Sequence, residues 1–553
     1  MEKYTVGLDY GTLSGRGVVV RCSDGKIMAS AVKEYAHGVM ERFLPDDKTI
    51  LPDAWCLEYP HDYIEVLETV VPTILKKSGV KKEDVIGIGI DFTSCTMLPV
   101  DENAVPLCEK KRFESCRNAY VKLWKHHGAQ KQANKVNMLL EKLNLEEDPR
   151  FGGKVSSELL IPKVLEILEE DPEVYRRADE ILEAGDWLTR ILTDSNKRSC
   201  SMAGYKAWWN QKAGYVDSEF LKQLHPELED FVEKKLPGEV CKIGEPVGYL
   251  KEEWAEKLGL QSGIPVAPTI IDSHAGVPGS CLSNDRQLMM VLGTSSVVVG
   301  LSKEPYAEKG ICGAVKDAIV PGYYALESGL ASVGDLFGWF VENYIPTSYM
   351  KEADEKGISI HALLCEKAGQ LTPGKSGVLA LDGWNGNKTP FVNGNLTGCL
   401  FGMTLNTKPE EVYRALIEAT AFGTKRIVDL YEESGLVIEE IIASGGISLK
   451  NEFLMQIYAD VLGKNIKIAA SDQAAALGAA IYAAVTAGEK RGGYDSYWTA
   501  VQKMSCVKKQ IYKVNPISHK KYEKMYGIYC RFSDIMGENG GTLLRELRSL
   551  KNE

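Results

Sequence analysis

Short apolar runs that end in Gly, Asp, Ser or Thr recur along the chain and organise it. Residues 4–8 read as a strand, Asp9-Tyr10-Gly11-Thr12 as a turn, and the valine-rich residues 15–21 as a second strand, together a hairpin. Residues 62–77 carry helical apolar spacing through Ile64, Leu67, Val70, Val71, Ile74 and Leu75, with Pro72 weakening the middle. Residues 85–90 form a continuous apolar run of the length expected for a buried strand, which delivers Asp91-Phe92-Thr93-Ser94 at its end. The pattern fades between about 236 and 263, and residues 264–271 then read as another strand. A domain division is expected near residue 260, giving segments 1–260 and 261–553.

The second segment begins as the first does. Residues 288–292, the turn Gly293-Thr294-Ser295-Ser296 and residues 297–301 repeat the order strand, small polar turn, strand. Farther on, helices are expected at about 409–433, 452–462 and 474–487, with strands at 437–443 and 466–470 between them. This alternation predicts an α/β architecture of layered sheets and helices.

Several junctions between these elements hold residues suited to chemistry. A tight turn at Gly11-Thr12 presents backbone N–H groups and a hydroxyl to an anion, and Asp9 beside it can organise a hydrated cation. An ordinary Asp-Gly hairpin satisfies the same residues. The second hairpin, at Gly293-Thr294, makes a nucleotide between two such turns the sharper reading, and Ser444-Gly445-Gly446 adds a strand-to-helix turn with room for close approach. Neither a Walker A sequence nor a G-x-G-x-x-G fingerprint stands at a strand–helix junction. Asp272 ends an apolar run, where open α/β sheets place ligands and where phosphoryl transfer to an alcohol needs a proton acceptor; a helix N-cap fits the position equally well. His274 reads as structural. Lys206 stands among aromatics and fits a lysine snorkelling over a ring. Glu327, in an apolar passage, needs a partner if it is buried. The adjacent His126 and His127 lack a third ligand and do not suggest zinc.

Composition narrows the class. The chain has 553 residues, 44% hydrophobic and 25% charged, enough for two cores and ordinary for a globular protein. A formal charge of -11, with no long Lys/Arg run, argues against nucleic acid as a partner. Thirteen scattered cysteines without a C-x-x-C pair read as reduced core thiols of a cytoplasmic protein. The longest membrane candidate, 288–301, is short and interrupted by its polar turn, so no membrane association is expected.

Taken in order, the motifs resemble the FGGY carbohydrate kinases over nearly the whole chain. The resemblance rests on Gly7-Leu8-Asp9-Tyr10-Gly11-Thr12, Asp91-Phe92-Thr93-Ser94-Cys95-Thr96, Trp124-Lys125-His126-His127, Gly204-Tyr205-Lys206-Ala207, Asp272-Ser273-His274-Ala275, Gly293-Thr294-Ser295 and Gly445-Gly446-Ile447. The second and third are most like members that phosphorylate ribulose. The resemblance implies two actin-like, RNase H-like ATPase domains with substrate and nucleotide in the cleft between them. It further implies ATP-dependent phosphorylation of a ketopentose, L-ribulose foremost, in L-arabinose catabolism; another ketopentose or a pentitol is the alternative substrate. An actin-like ATPase switch and a silent sugar sensor are the readings from other classes. By the same resemblance Asp272 is the catalytic base, and Ser94, Lys206 and Glu327 join it at the sugar. Asp9, Gly11, Thr12, Gly293, Thr294, Gly445 and Gly446 face Mg-ATP, Asn451 lies near the adenosine, and Asp9 and Asp272 hold Mg²⁺ through water. A homodimer is expected. The family's eponymous Phe-Gly-Gly-Tyr stands here as Phe151-Gly152-Gly153-Lys154 and receives no role.

Overall fold

The computed structural model describes residues 2–145, 154–305, 311, 313–394, 396–537 and 541–550, so that Phe151, Gly152 and Gly153 lie outside the described residues. Two seven-stranded sheets form the body of the molecule, and each grows from a hairpin. In the first, Tyr4–Tyr10 pairs antiparallel with Ser14–Arg21, and Val85–Phe92 lies parallel on its other side. In the second, Gln287–Leu292 pairs antiparallel with Ser296–Ser302 and parallel with Glu440–Ser444. The repetition expected from the sequence is thus a repetition of sheet topology.

Every residue of Val85–Phe92 is buried, as a strand covered on both faces requires. Helices Pro409–Glu433, Glu452–Leu462 and Ala474–Ala487 have the expected bounds. Pro409 opens the first of them, and the Glu411 carboxylate accepts the Lys408 N–H at 2.8 Å.

The alanine-rich helix Ala474–Ala487 lies directly on the first sheet. A Cβ at Gly7 would stand 2.0 Å from Ala476 O, and one at Gly89 would stand 1.9 Å from Ala479 O. Only glycines on the strands and alanines on the helix allow that approach. The same helix meets helix Asp272–Gly279 so closely that a Cβ at Gly478 would fall 1.7 Å from Ala275 O. One apolar core accordingly joins Val18 and Val20 of the first sheet to Met289 and Val299 of the second.

A smaller four-stranded sheet, in the order Leu57–Glu58, Val121–Lys122, Met97–Val100, Glu180–Glu183, stands beside the first. Its core is filled by helix Leu160–Glu170, among others.

Three expectations change. Asp9 and Tyr10 belong to the first strand rather than the turn, because they pair with Asp91 and Phe92 and Tyr10 stacks on Phe92 at 5.1 Å. Residues 264–271 divide into Pro265–Val266 and Ile270–Ile271, since Pro265 and Pro268 lack ladder donors. Both pieces lie beyond the division expected near 260 and pair with Val85–Phe92 of the first sheet. The weakly patterned stretch before them contains helix Glu252–Leu258, stopped by Gly259 at φ 68°. No helix among the described residues is long and apolar enough to cross a membrane, and none of the described cysteines forms a disulfide.

Candidate active site

Strand pairing gathers three carboxylates. Asp9 lies opposite Asp91 on the parallel neighbour, Ile270 pairs with Asp91, and Asp272 follows Ile271 as the first residue of its helix. Parallel strands bring their carboxyl ends to one edge, so residues far apart in sequence meet there. Arg16, opposite Asp9 on the hairpin, sets its Nε 3.2 Å from the Asp9 carboxylate.

The cluster is electrostatically expensive, and the charges respond. Burial raises the Asp272 pKa to about 7; Asp9 and Glu327 add to the rise, while the Ser273 N–H (2.6 Å from Oδ1) and Lys206 oppose it. Burial also raises Asp9, against the pull of Arg16. Asp91 is held well above the ordinary range by burial, then by the charges of Asp9 and Asp272, and by a side-chain hydrogen bond with Asp9. A carboxyl at the edge of proton release, beside two further acids, suits the acceptance of a proton from an alcohol.

Lys206 ends helix Cys200–Lys206, and Glu327 lies within strand Tyr324–Leu330. The fold brings them to one cavity of about 760 Å³, which Trp208, Trp209, Asn387 and Lys388 also line. The anionic Glu327 has a built partner: His274 Nε2 stands 2.5 Å from its Oε2. Burial alone would raise this acid, but His274, Lys206 and Lys388 outweigh it and hold the pKa at about 2. His274 is fully buried, and its ring packs 4.5 Å from that of Tyr205. It therefore positions a site residue, a role that a histidine among small apolar neighbours does not announce in sequence. Ser94 lies in the turn after Val85–Phe92, beside Cys95, and does not line the cavity.

Both hairpin turns are braced from behind. The Tyr35 hydroxyl donates to Gly11 O at 2.8 Å, and the Trp124 indole N–H donates to the Thr12 hydroxyl at 3.1 Å. On the other half, the Thr294 and Gly293 carbonyls accept the Val333 and Gly334 N–H groups, at 2.7 and 3.0 Å. The two glycines after strand Glu440–Ser444 differ. Gly445, at φ 91°, is required by the backbone itself, because a Cβ there would lie 2.3 Å from Leu292 O. Gly446 has no described protein atom within 4 Å of such a Cβ, which leaves space for a ligand. Asn451 caps helix Glu452–Leu462 by accepting the Leu454 N–H at 3.0 Å, and its amide stands 3.4 Å from Cys365 Sγ. The structure therefore gives that side chain helix-end work.

Models of the N-terminal and C-terminal domains of the FGGY family of carbohydrate kinases match residues 4–279 and 288–487. The chain belongs to this family. Among curated FGGY relatives, ribulokinase of Halalkalibacterium halodurans is 47% identical over 550 residues, covering 100% of this chain and 98% of that one. Ribulokinase of Staphylococcus aureus is 39% identical over 552 residues, covering 100% and 99%. Solved structures of a xylulose kinase from Rhodospirillum rubrum and a gluconate kinase from Lactobacillus acidophilus both superpose with a TM-score of 0.80. They share 20% and 18% identity and cover 97% and 98% of this chain, and 99% and 100% of their own. These likenesses establish the two-domain kinase fold. An FGGY kinase uses ATP and a sugar; the site here divides into carboxylates at the sheet edge, a cavity that Lys206 and Glu327 reach, and a turn from each half. Asp91, Tyr35 and Trp124 join that division only through the fold, the last two across 24 and 112 residues.

Proposed function

We propose that this carbohydrate kinase is a ribulokinase, transferring the terminal phosphoryl group of ATP to the terminal hydroxyl of L-ribulose. D-ribulose and related ketopentoses are the secondary substrates. The observation that carries the site assignment is the meeting of Lys206 and Glu327, from opposite halves, in one cavity, both within electrostatic reach of Asp272. Ribulokinases similar along their full length support the choice of sugar.

In this reading Asp272 accepts the proton of the attacking hydroxyl, oriented by the Ser273 N–H. Ionised Glu327, held by His274, and Lys206 bind the sugar's other oxygens. The turns at Gly11-Thr12 and Gly293-Thr294 cradle the phosphates, and the open face of Gly446 takes the nucleotide's flat end. The acid pair Asp9 and Asp272 fits a hydrated Mg²⁺ held through water. No cage of three or more His, Cys, Asp or Glu side chains is found among the described residues, and a nucleotide magnesium site needs none. The ion supplies neutralisation of the triphosphate charge. A cytoplasmic homodimer acting in L-arabinose catabolism completes the proposal.

A coupled ADP-release assay over a panel of ketopentoses and pentitols tests it. L-ribulose should give the largest kcat/KM. ADP release that ignores every sugar would support an ATPase switch instead, and preference for a pentitol would reassign the substrate.

A further inference from the structure

After strand Leu379–Ala380 the chain forms a loop that reaches the cavity and is fastened along its length. The Asp382 carboxylate accepts a hydrogen bond from the Tyr529 hydroxyl, and the Trp384 ring packs 4.6 Å from that of Trp339. Farther on, Asn387 and Asn393 exchange backbone hydrogen bonds at 2.8 and 2.9 Å, and the Asn387 side-chain oxygen accepts the Phe391 N–H at 3.0 Å. These bonds close residues 387–393 into a tight projection. Asn387 and Thr389 are buried, at 8% and 1% exposure, while Lys388 between them is exposed and lines the cavity. Burial of both neighbours fixes the backbone, so the fold itself sets the lysine at the cavity wall.

Two lysines therefore share the cavity with Glu327, Lys206 from the first half and Lys388 from the second. Burial aside, the charges that act on Asp272 are Asp9, Glu327 and Lys206, and those that act on Glu327 are His274, Lys206 and Lys388. Glu327 is common ground between the proton acceptor and Lys388, which orders the groups as Asp272, then Lys206 with Glu327, then Lys388. An open-chain sugar with its reacting hydroxyl at Asp272 and its middle hydroxyls at Lys206 and Glu327 presents its other end to Lys388. In a ketopentose phosphorylated at the terminal hydroxyl, that end carries the C2 carbonyl. An ammonium has three donors and no acceptor, so it pairs best with an oxygen that only accepts. The carbonyl oxygen is one; the hydroxyl of the matching pentitol brings a donor of its own that then needs a partner.

We propose that Lys388 is a specificity-determining residue: its ammonium donates to the carbonyl oxygen of the bound ketopentose and sets the preference for the ketose over the pentitol of the same length. The inference rests on the reading of the substrate as a ketopentose with Asp272 as proton acceptor.

Steady-state kinetics of the full-length protein by coupled ADP release, with L-ribulose, ribitol and L-arabitol as acceptors, reads that preference. If wild type favours a different ketopentose, that sugar and its pentitols take their place. Lys388→Met keeps the length of the side chain without its charge or donors. It should raise the L-ribulose KM about tenfold, with kcat, the ATP KM and both pentitol KM values within about twofold of wild type. Lys388→Arg keeps charge and donors and should retain most of the preference. Equal losses for ketose and pentitols would mean that Lys388 acts through the charge of Glu327 or through the loop, and an unchanged L-ribulose KM would mean that it touches no sugar; either result overturns the proposal. A wild type with no preference for any ketopentose over its reduced forms counts against the substrate reading, is seen before any variant is made, and takes this proposal with it.

Discussion

At the scale of single residues, the site is a problem of three acids placed where water is scarce. Asp272, with its pKa pushed to about 7, can take a proton near neutrality, while the fully buried Asp91 is raised well above the carboxylate range by burial and by its acidic neighbours. Asp272→Asn keeps the side-chain shape and loses the acceptor. Turnover should fall by roughly 10²–10⁴-fold with ketopentose affinity largely retained. Single-turnover kinetics beside equilibrium sugar binding checks this, and near-normal turnover would remove Asp272 from the role of base. Glu183 offers a second test away from the reaction. It is 1% exposed, and neither oxygen has a partner among the described residues. Burial raises its pKa from 4.5 to about 8, Asp186 adding and Arg198, Lys163 and Lys206 opposing. The folded form therefore holds a proton that the unfolded chain releases above about pH 4.5. The stability this contributes is complete below pH 4.5 and is lost as pH rises to about 8. Glu183→Gln is neutral throughout, so its melting temperature should gain on that of wild type across this window. A difference that stays flat with pH would mean Glu183 is ionised in the fold.

At the scale of elements, local signals account for much of what is seen. Helices Pro409–Glu433, Glu452–Leu462 and Ala474–Ala487 follow their apolar periodicity and end residues, and the two hairpins follow apolar runs broken by small polar turns. Where neighbours in space decide, sequence reading stopped short. Asp9 and Tyr10 are strand because Asp91 and Phe92 offer them a parallel partner. The paired glycines show both influences. If this turn faces ATP as proposed, Gly446→Val should fold and raise the ATP KM far more than the sugar KM, because the side chain would enter the open space beside it. Gly445→Val should instead lower the melting temperature, since φ 91° and the contact with Leu292 O penalise it without any ligand. Equal effects of Gly446→Val on the two substrates would argue that this turn does not face ATP.

At the scale of the whole molecule, Lys206 and Glu327 reach one cavity from opposite halves. A sugar that touches both favours a closed arrangement, because a ligand shifts an equilibrium by its differential affinity for the two states. Small-angle scattering should show contraction when ketopentose saturates wild type, and less contraction in Lys206→Ala and Glu327→Ala. Each variant should bind sugar more weakly while binding ATP normally, and the double variant should lose less than the sum of the two. An unchanged scattering profile at saturation would sink the clamp. The shared core around the alanine-rich helix gives such a motion its base: the glycine–alanine contacts at Gly7, Gly89 and Gly478 leave no slack at that end.

What the amino-acid sequence determined by itself was local and repetitive: the apolar runs, the helix ends, the twice-used hairpin, and a motif order that resembles one kinase family. Those features depend on a residue and its near neighbours, so the chain states them directly. The tertiary structure alone decided which distant groups meet. Parallel pairing of Tyr4–Tyr10 with Val85–Phe92 set Asp9 against Asp91, a helix begun by Asp272 turned His274 toward Glu327, and a loop 112 residues away brought Trp124 to Thr12. Such contacts depend on register and on the crossing of chain segments, which no short stretch of sequence encodes; burial raises both Asp272 and Glu327, and the cationic partners that Glu327 alone met in strength reversed its shift.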